Sequence, residues 1–486
     1  MTIPIALLMG LYLRTLRPGK VLEASSLGFV LVMLAIFGGQ FVSHHAGLAK
    51  AFTLTAPHLA IAIIIYGFAA SAVPVWLLLA PRDYLSTFVK LGTIMVLALG
   101  ILALRPTLQM PALTRFTDGS GPIFAGKLFP FAFITIACGA ISGFHSLISS
   151  GTTPKLIARE SHIRMVGYAG MAAESFVAIM AMIAACTLTP GAYFAINSPA
   201  GVVGDSPAGA TAMISSWNFP ITDADMSHLA SSVGEDTLFN RTGGAPAFAL
   251  GMAQIFSRAL GGDRFTAIWY HFAIMFEALF ILTVLDAGTR VARFMLQEGL
   301  GHFWPPLGKT GSYFSILTTS ALVVAAWGTF LWQGVRDPLG GINSLWPLFG
   351  IANQLLAIVA LCVATTIIIK SARARFSWIT LAPLFWLLAI TFSASWHKIF
   401  NADPRISFLA HAAALAAGTV PAKGAEVQRL IFNDRLDAAV TGMLVVLVAL
   451  ILVESAKEWW RVLSGRKLPV TNESPYIAAE PLGASS

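Results

Sequence analysis

Apolar residues in this chain come in long unbroken stretches, without strand-like alternation. Runs at 25–42, 57–80, 86–104, 129–150, 166–188, 266–285, 313–333, 340–369, 377–396 and 437–456 are separated by short polar loops. A run of about 18 residues or more can cross hydrocarbon as a helix, and a helix satisfies its own backbone hydrogen bonds there. A membrane barrel needs alternating segments of about 10 residues instead. The pattern predicts an all-α, polytopic membrane helix bundle of about 10–11 segments. The opening "MTIPIALLMGLYL", residues 1–13, is short for a span and lacks the basic start and cleavage site of a signal peptide. It is read as a partial or interfacial segment. The run 246–260 is amphipathic and shorter, and is expected to lie at the interface or pack on the bundle.

Composition sharpens this picture. Of 486 residues, 56% are hydrophobic and 11% charged, against about 25% charged in soluble domains. The net charge of +8 does not call for nucleic acid, because the basic residues sit in short loops. Arg14, Arg17 and Lys20, then Lys155, Arg159 and Arg164, then Arg290, Arg293 and Lys309, then Lys370, Arg373 and Arg375, and finally Arg461, Arg466 and Lys467 all fall on one side when spans alternate. The other side holds the loop 189–245, with Asp205, Asp223, Asp225, Glu235 and Asp236 against Arg241. The positive-inside rule makes the basic side cytoplasmic, with the C-terminus there too. The opening segment then runs outward to inward, like the later half of a span that begins upstream. Residues 14–460 form the membrane domain, 189–245 an extracytoplasmic cap, and 461–486 a cytoplasmic tail of disordered composition. Cys138, Cys186 and Cys362 lie inside apolar runs and read as small buried hydrophobes. They imply neither a disulfide framework nor a metal site, and no cofactor is expected.

The candidate chemistry is polar groups at membrane depth. In "FITIACGAISGFHSLISSGTTPK", 133–155, helical spacing puts Thr135, Gly139, Ser142, His145, Ser146, Ser149 and Thr153 on one face. Gly151 and Pro154 predict a break after it. Hydroxyls beside a broken membrane helix suit a ligand or cation site, although Ser and Thr are also ordinary glue between membrane helices. Thr152 completes the hydroxyl set. A second interruption is expected in "DPLGGINSLWPLFGIANQLLA", 337–357, where Asn343, Asn353 and Gln354 supply neutral hydrogen bonds. These are the candidate substrate-binding residues. Intramembrane carboxylates are expensive and point to function, so Glu174, Glu277 and His271 are candidates for proton or ion coupling. Gly167, Gly170, Ala178, Ala181 and Ala185 share a stripe with Glu174 that should pack closely on a neighbour. Asp286 is expected to pair with Arg290 at i,i+4, and Lys90 to snorkel. No P-loop, nucleophile elbow or HExxH spacing is present, so neither an ATP-driven pump nor an enzyme is expected.

Several blocks are familiar. "VPVWLLLAPRDYLSTFVKLGTI", "FITIACGAISGFHSLISSGTTPK", "ESFVAIMA", "WYHFAIMFEALFILTVLDAGTRVARFMLQ" and "DPLGGINSLWPLFGIANQ" closely resemble the carbon starvation protein A family, from the first helix to about residue 460. The resemblance implies a secondary transporter for peptides or pyruvate under nutrient limitation, with H+ or Na+ as coupling ion and the lipid bilayer as its surroundings. It also implies an inverted-repeat fold with broken helices, grouped with the amino acid/polyamine/cation superfamily. Family members carry further helices upstream, including a His- and Gly-rich segment. The alternative reading is a non-transporting remnant or a membrane nutrient sensor.

Overall fold

A computed structural model describes residues 2–151, 153–336, 345–420 and 425–469. Among the described residues all regular structure is helical. Nine of the described helices are long and apolar enough to cross a membrane, and ten if one bent pair counts as a span. The chain opens with α1 (Thr2–Leu11), α2 (Val21–His44), α3 (Ala46–Phe52), α4 (Ala56–Ala72) and α5 (Leu79–Leu104), with α3 and α4 bent by 59° to one another. Next come α6 (Leu128–Ile136), α7 (Gly143–Gly151) and α8 (Ser161–Cys186). After the cap follow α9 (Ala245–Leu260), α10 (Thr266–Gly301), α11 (Tyr313–Val335), α12 (Leu345–Lys370), α13 (Trp378–Phe400), α14 (Phe408–Ala416) and α15 (Ala425–Leu463).

Two hydrophobic clusters hold the bundle. The larger centres on α9, whose residues 247–253 are all buried against α5, α8 and α10. A Cβ on Gly251 would come within 2.0 Å of the Ala184 carbonyl oxygen, so α8 and α9 touch backbone to backbone. The 246–260 run is therefore a core helix, not an interfacial one. The second cluster joins α6, α12, α13 and α15. The opening α1 packs Ile5 and Met9 against α2 and α5.

The polar loop 189–245 folds into helices at Pro190–Asn197, Ala200–Val203, Pro207–Ser216 and Asp223–Val233. The last begins with a capping box. The Thr222 hydroxyl accepts from the Asp225 amide at 3.1 Å, and the Asp225 carboxylate accepts from the Thr222 amide at 3.0 Å. Hydrogen bonds from Thr222 hold the Asp225 carboxyl below the usual carboxylate range. Phe194, Ile214, Met226 and Val233 are buried beneath, so the cap shares the α9 core.

Charged residues clamp α4, α5 and α10 together. The chain leaves α4 at Ala72 and re-enters a helix at Leu79, which frees backbone carbonyls. Arg290 on α10 donates to the carbonyls of Ala70 and Val73, at 2.5 and 2.8 Å. Asp286, one turn earlier, pairs with Arg82 at the start of α5, and both are buried. The Tyr66 hydroxyl donates to the same Asp286 oxygen at 2.8 Å. The expected Asp286–Arg290 pair is thus not made. A surface i,i+4 pair is worth only a few tenths of a kcal/mol, whereas carbonyls freed in hydrocarbon cost several kcal/mol each. Lys90 does not snorkel either. It donates to the Thr283 hydroxyl at 2.9 Å and lies over the Phe280 ring, 4.6 Å from its centroid.

Removing one partner of a buried ion pair leaves an uncompensated charge and costs about 3–5 kcal/mol. Asp286→Asn and Arg82→Met should each lower the unfolding temperature of the purified chain sharply, read by tryptophan fluorescence. The double variant Arg82→Met with Asp286→Asn should lose less than the sum of the two. Additive losses would contradict the clamp.

Candidate functional site

The stretch 133–155 is not one helix with a polar face. α6 ends at Ile136, and Ala137 takes φ 49° and ψ −109°, a left-handed φ that costs a non-glycine residue about 1–3 kcal/mol. A short turn follows, and α7 starts afresh at Gly143. An interruption that the sequence does not signal therefore falls at 137–142, while the expected break at Gly151–Pro154 spans Thr152, which lies outside the described residues. Thr135 is separated from Ser142, and its hydroxyl donates to its own helix at Phe131 O, 2.8 Å.

What holds this turn is α12. Gln354 Nε2 donates to Phe133 O at 2.7 Å, Trp346 Nε1 to Thr135 O at 3.1 Å, and Asn353 Nδ2 to Ile141 O at 2.9 Å. Asn353 Oδ1 accepts from the Phe144 amide at 3.0 Å, and Ser142 Oγ accepts from the His145 amide at 3.3 Å. These two acceptors cap α7 as N-cap groups do. The Thr391 hydroxyl on α13 donates to Gln354 Oε1 at 3.0 Å, so both buried amides of α12 are engaged.

Two glycines permit the approach. A Cβ on Gly143 would fall 1.9 Å from Asn353 O, and one on Gly350 would fall 2.3 Å from Ile134 O. Pro347 sits in the first turn of α12, where its missing N–H breaks no helical bond. From Leu345 onward α12 is continuous, so the expected weakening by Pro347 and Gly350 does not occur. Asn343 and Thr152 lie outside the described residues.

The remaining candidates divide. Ser146 and Ser149 turn their hydroxyls back onto Gly143 O and Ser146 O, at 2.5 and 3.0 Å, and Thr153 begins the next helical turn. His145 does find a partner. Its Nδ1 shares a short hydrogen bond with Ser142 Oγ, and its Nε2 lies 3.5 Å from Glu174 Oε2 on α8. Both side chains are about half exposed, at 58% and 49%. Cys138, half-buried in the turn, places Sγ 2.8 Å from Ser142 Oγ. Cys138, His145 and Glu174 thus offer three donor atoms within 4.8 Å of one another. Cys138 is therefore not the inert buried hydrophobe expected. A structural zinc site takes four such ligands, and this group offers three.

Glu277 is half-buried and His271 exposed on α10, and no hydrogen bond or ion pair among the described residues joins either to this site. The small-residue stripe of α8 also differs from expectation. Nothing lies within 4 Å of a Cβ built on Gly167 or Gly170, because only the C-terminal half of α8, at Met180 and Ala184, docks on the bundle. Arg82 and Tyr66 were not singled out in the sequence. An apolar run that starts at 86 leaves Arg82 in a loop. An Arg just inside a membrane helix, after Pro81, was the available signal.

A family model described as "Carbon starvation protein CstA" matches residues 1–394. The chain belongs to the carbon starvation protein CstA family. The peptide transporter CstA of Escherichia coli (strain K12) is 52% identical over 98% of this chain and 69% of the relative. The peptide transporter CstA of Campylobacter jejuni is 56% identical over 82% and 57%. The pyruvate/proton symporter BtsT of Escherichia coli (strain K12) is 44% identical over 98% and 70%. The chain therefore spans between 57% and 70% of the length of these CstA-family relatives. No solved structure matches it.

If α12 braces the interruption, Gly143→Ala should destabilise strongly, since its Cβ meets backbone. Asn353→Leu should cost about 1–3 kcal/mol for each buried group left unsatisfied. Gly170→Ala, with open space around it, should be neutral or stabilising by up to about 1 kcal/mol. Thermal unfolding of the three purified variants checks the order.

Proposed function

We propose that the chain is a secondary transporter that takes up short peptides or pyruvate with a proton. The carrying observation is the His145 ring set between the Ser142 hydroxyl and the Glu174 carboxylate, beside a helix interruption at membrane depth. Its neighbours among the CstA family bear out the class, since relatives are named peptide transporter and pyruvate/proton symporter. An imidazole offers a donor or acceptor at each of its two nitrogens, so this ring can relay a proton between the hydroxyl on one side and the carboxylate on the other. Cys138 from the turn and Glu174 from α8 are the titratable groups acting on it. α12 presents only the neutral amides of Asn353 and Gln354 there, and α10 presents Gly288 and Val291 to α7.

In this scheme the proton resides on the His145–Glu174 pair, and a sodium ion is not required. The substrate lies against the same turn, contacting Ser142 and the α7 face that carries Ser146 and Ser149. Asn353 and Gln354 act by holding the turn, not by touching substrate. Glu277 and His271 take no part in the first proton step. Residues 14–460 make up the transport unit. The basic loops face the cytoplasm and the 189–245 cap faces outward, in a bacterial plasma membrane.

Proteoliposomes test this directly. An inward proton gradient should drive accumulation of labelled dipeptide or pyruvate. Glu174→Gln should keep substrate exchange across the membrane but lose gradient-driven accumulation, and His145→Ala should flatten the pH profile. Wild-type accumulation and pH dependence in both variants would overturn the assignment.

A further inference from the structure

Three segments of the chain meet at one point. Cys138 in the 137–142 turn, His145 on α7 and Glu174 on α8 bring a thiol sulfur, a ring nitrogen and a carboxylate oxygen within 4.8 Å of one another. Along one edge of this triangle, His145 Nε2 lies 3.5 Å from Glu174 Oε2. That is long for an N–H···O hydrogen bond, which spans about 2.7–3.2 Å. It is close to the edge of a coordination tetrahedron. A zinc ion ~2.05 Å from a His nitrogen and ~2.1 Å from a carboxylate oxygen holds those two atoms about 3.4 Å apart. Its edges to a Cys sulfur are about 3.6 Å, so the Cys138 side chain closes in by about 1.2 Å at most.

The surroundings support a ligand set. Ser142 Oγ sits 2.8 Å from Cys138 Sγ and shares a short hydrogen bond with His145 Nδ1. With Nδ1–H donating to that oxygen, Nε2 is bare and faces Glu174, which is the usual way a neighbour orients a metal-ligating His. The Ser142 hydroxyl then donates its own hydrogen to the sulfur and favours a thiolate there. His145 and Glu174 are half exposed and Cys138 is partly so, which gives an ion a way in. One thiolate and one carboxylate balance the charge of a divalent ion, so the complex adds no net charge at membrane depth, where net charge is expensive.

Thiolate and imidazole together suit zinc-like ions, whereas Mg2+ and Ca2+ demand shells of oxygen ligands. We propose that Cys138, His145 and Glu174 bind a single divalent ion of the zinc class, with water in the fourth position, as in zinc sites that keep an open coordination place. On binding, the Cys138 S–H bond breaks, a sulfur–metal bond forms, and the thiol proton leaves to water. The ion occupies both His145 Nε2 and the Glu174 carboxylate, and so denies them to a proton. Bound zinc therefore blocks proton-coupled uptake. This consequence rests on the transport reading above, but the site itself does not.

Cobalt(II) stands in for zinc as a spectroscopic probe. Titration of the purified, untagged full chain with Co2+ should give a thiolate-to-cobalt charge-transfer band and the strong visible absorption of a four-coordinate ion, saturating at a single ion per chain. Zn2+ should abolish both signals, and Mg2+ in large excess should not. Cys138→Ser should lose the charge-transfer band. Ser142→Ala should weaken binding about tenfold, and Glu174→Gln, a change at a half-exposed side chain, by more. Cys186→Ala, at the far end of α8, should bind as wild type does. A missing thiolate band, an unchanged band in Cys138→Ser, or wild-type affinity in Glu174→Gln would overturn the metal site. In proteoliposomes, zinc that binds without slowing uptake would count against the transport reading and leave the site standing. Uptake unaffected because zinc does not bind would count against the site alone.

Discussion

Hydrocarbon offers no water to a freed carbonyl, and this constraint organises the bundle. The chain leaves helical geometry between α4 and α5 and again between α6 and α7. At both places a side chain from a helix far along the sequence takes over the freed groups. Arg290 on α10 serves the first, through Ala70 and Val73. Trp346, Asn353 and Gln354 on α12 serve the second. Both donor helices remain continuous at these positions, so each acts as a rigid brace for an irregular neighbour.

The consequence for chemistry is a division of labour. The two bracing amides are buried: Asn353 and Gln354 are 3% and 0% exposed. The titratable pair at this turn is more open. His145 and Glu174 there remain half open. A turn held by neutral amides keeps its geometry whichever charge state its histidine adopts.

Much of the architecture was legible from apolar run length alone, because a span must be long and continuous. Each run read from the sequence meets a helix, and the polar stretch 189–245 becomes a cap with its own capping box. The interruption at 137–142 was not legible. Gly151 and Pro154 carry the local signal for a break, but Ala137 carries none, and its unusual φ is imposed by contact with α12. Asn353 and Gln354 were legible as polar groups at membrane depth. Their role was not, since a ligand amide and a bracing amide look alike until the partner carbonyls are located. The pairing of His145 with Glu174 was hidden for the same reason: 29 positions separate them in the chain.

The central claim is that the α6–α7 interruption is held closed by side chains and not merely tolerated. Hydrogen–deuterium exchange at the Phe144 amide measures this most directly. The amide lies next to an irregular turn, yet donates to Asn353 Oδ1 at 3.0 Å. The account predicts exchange as slow as in the interior of α12. Exchange as fast as in the loop 401–407 would contradict it.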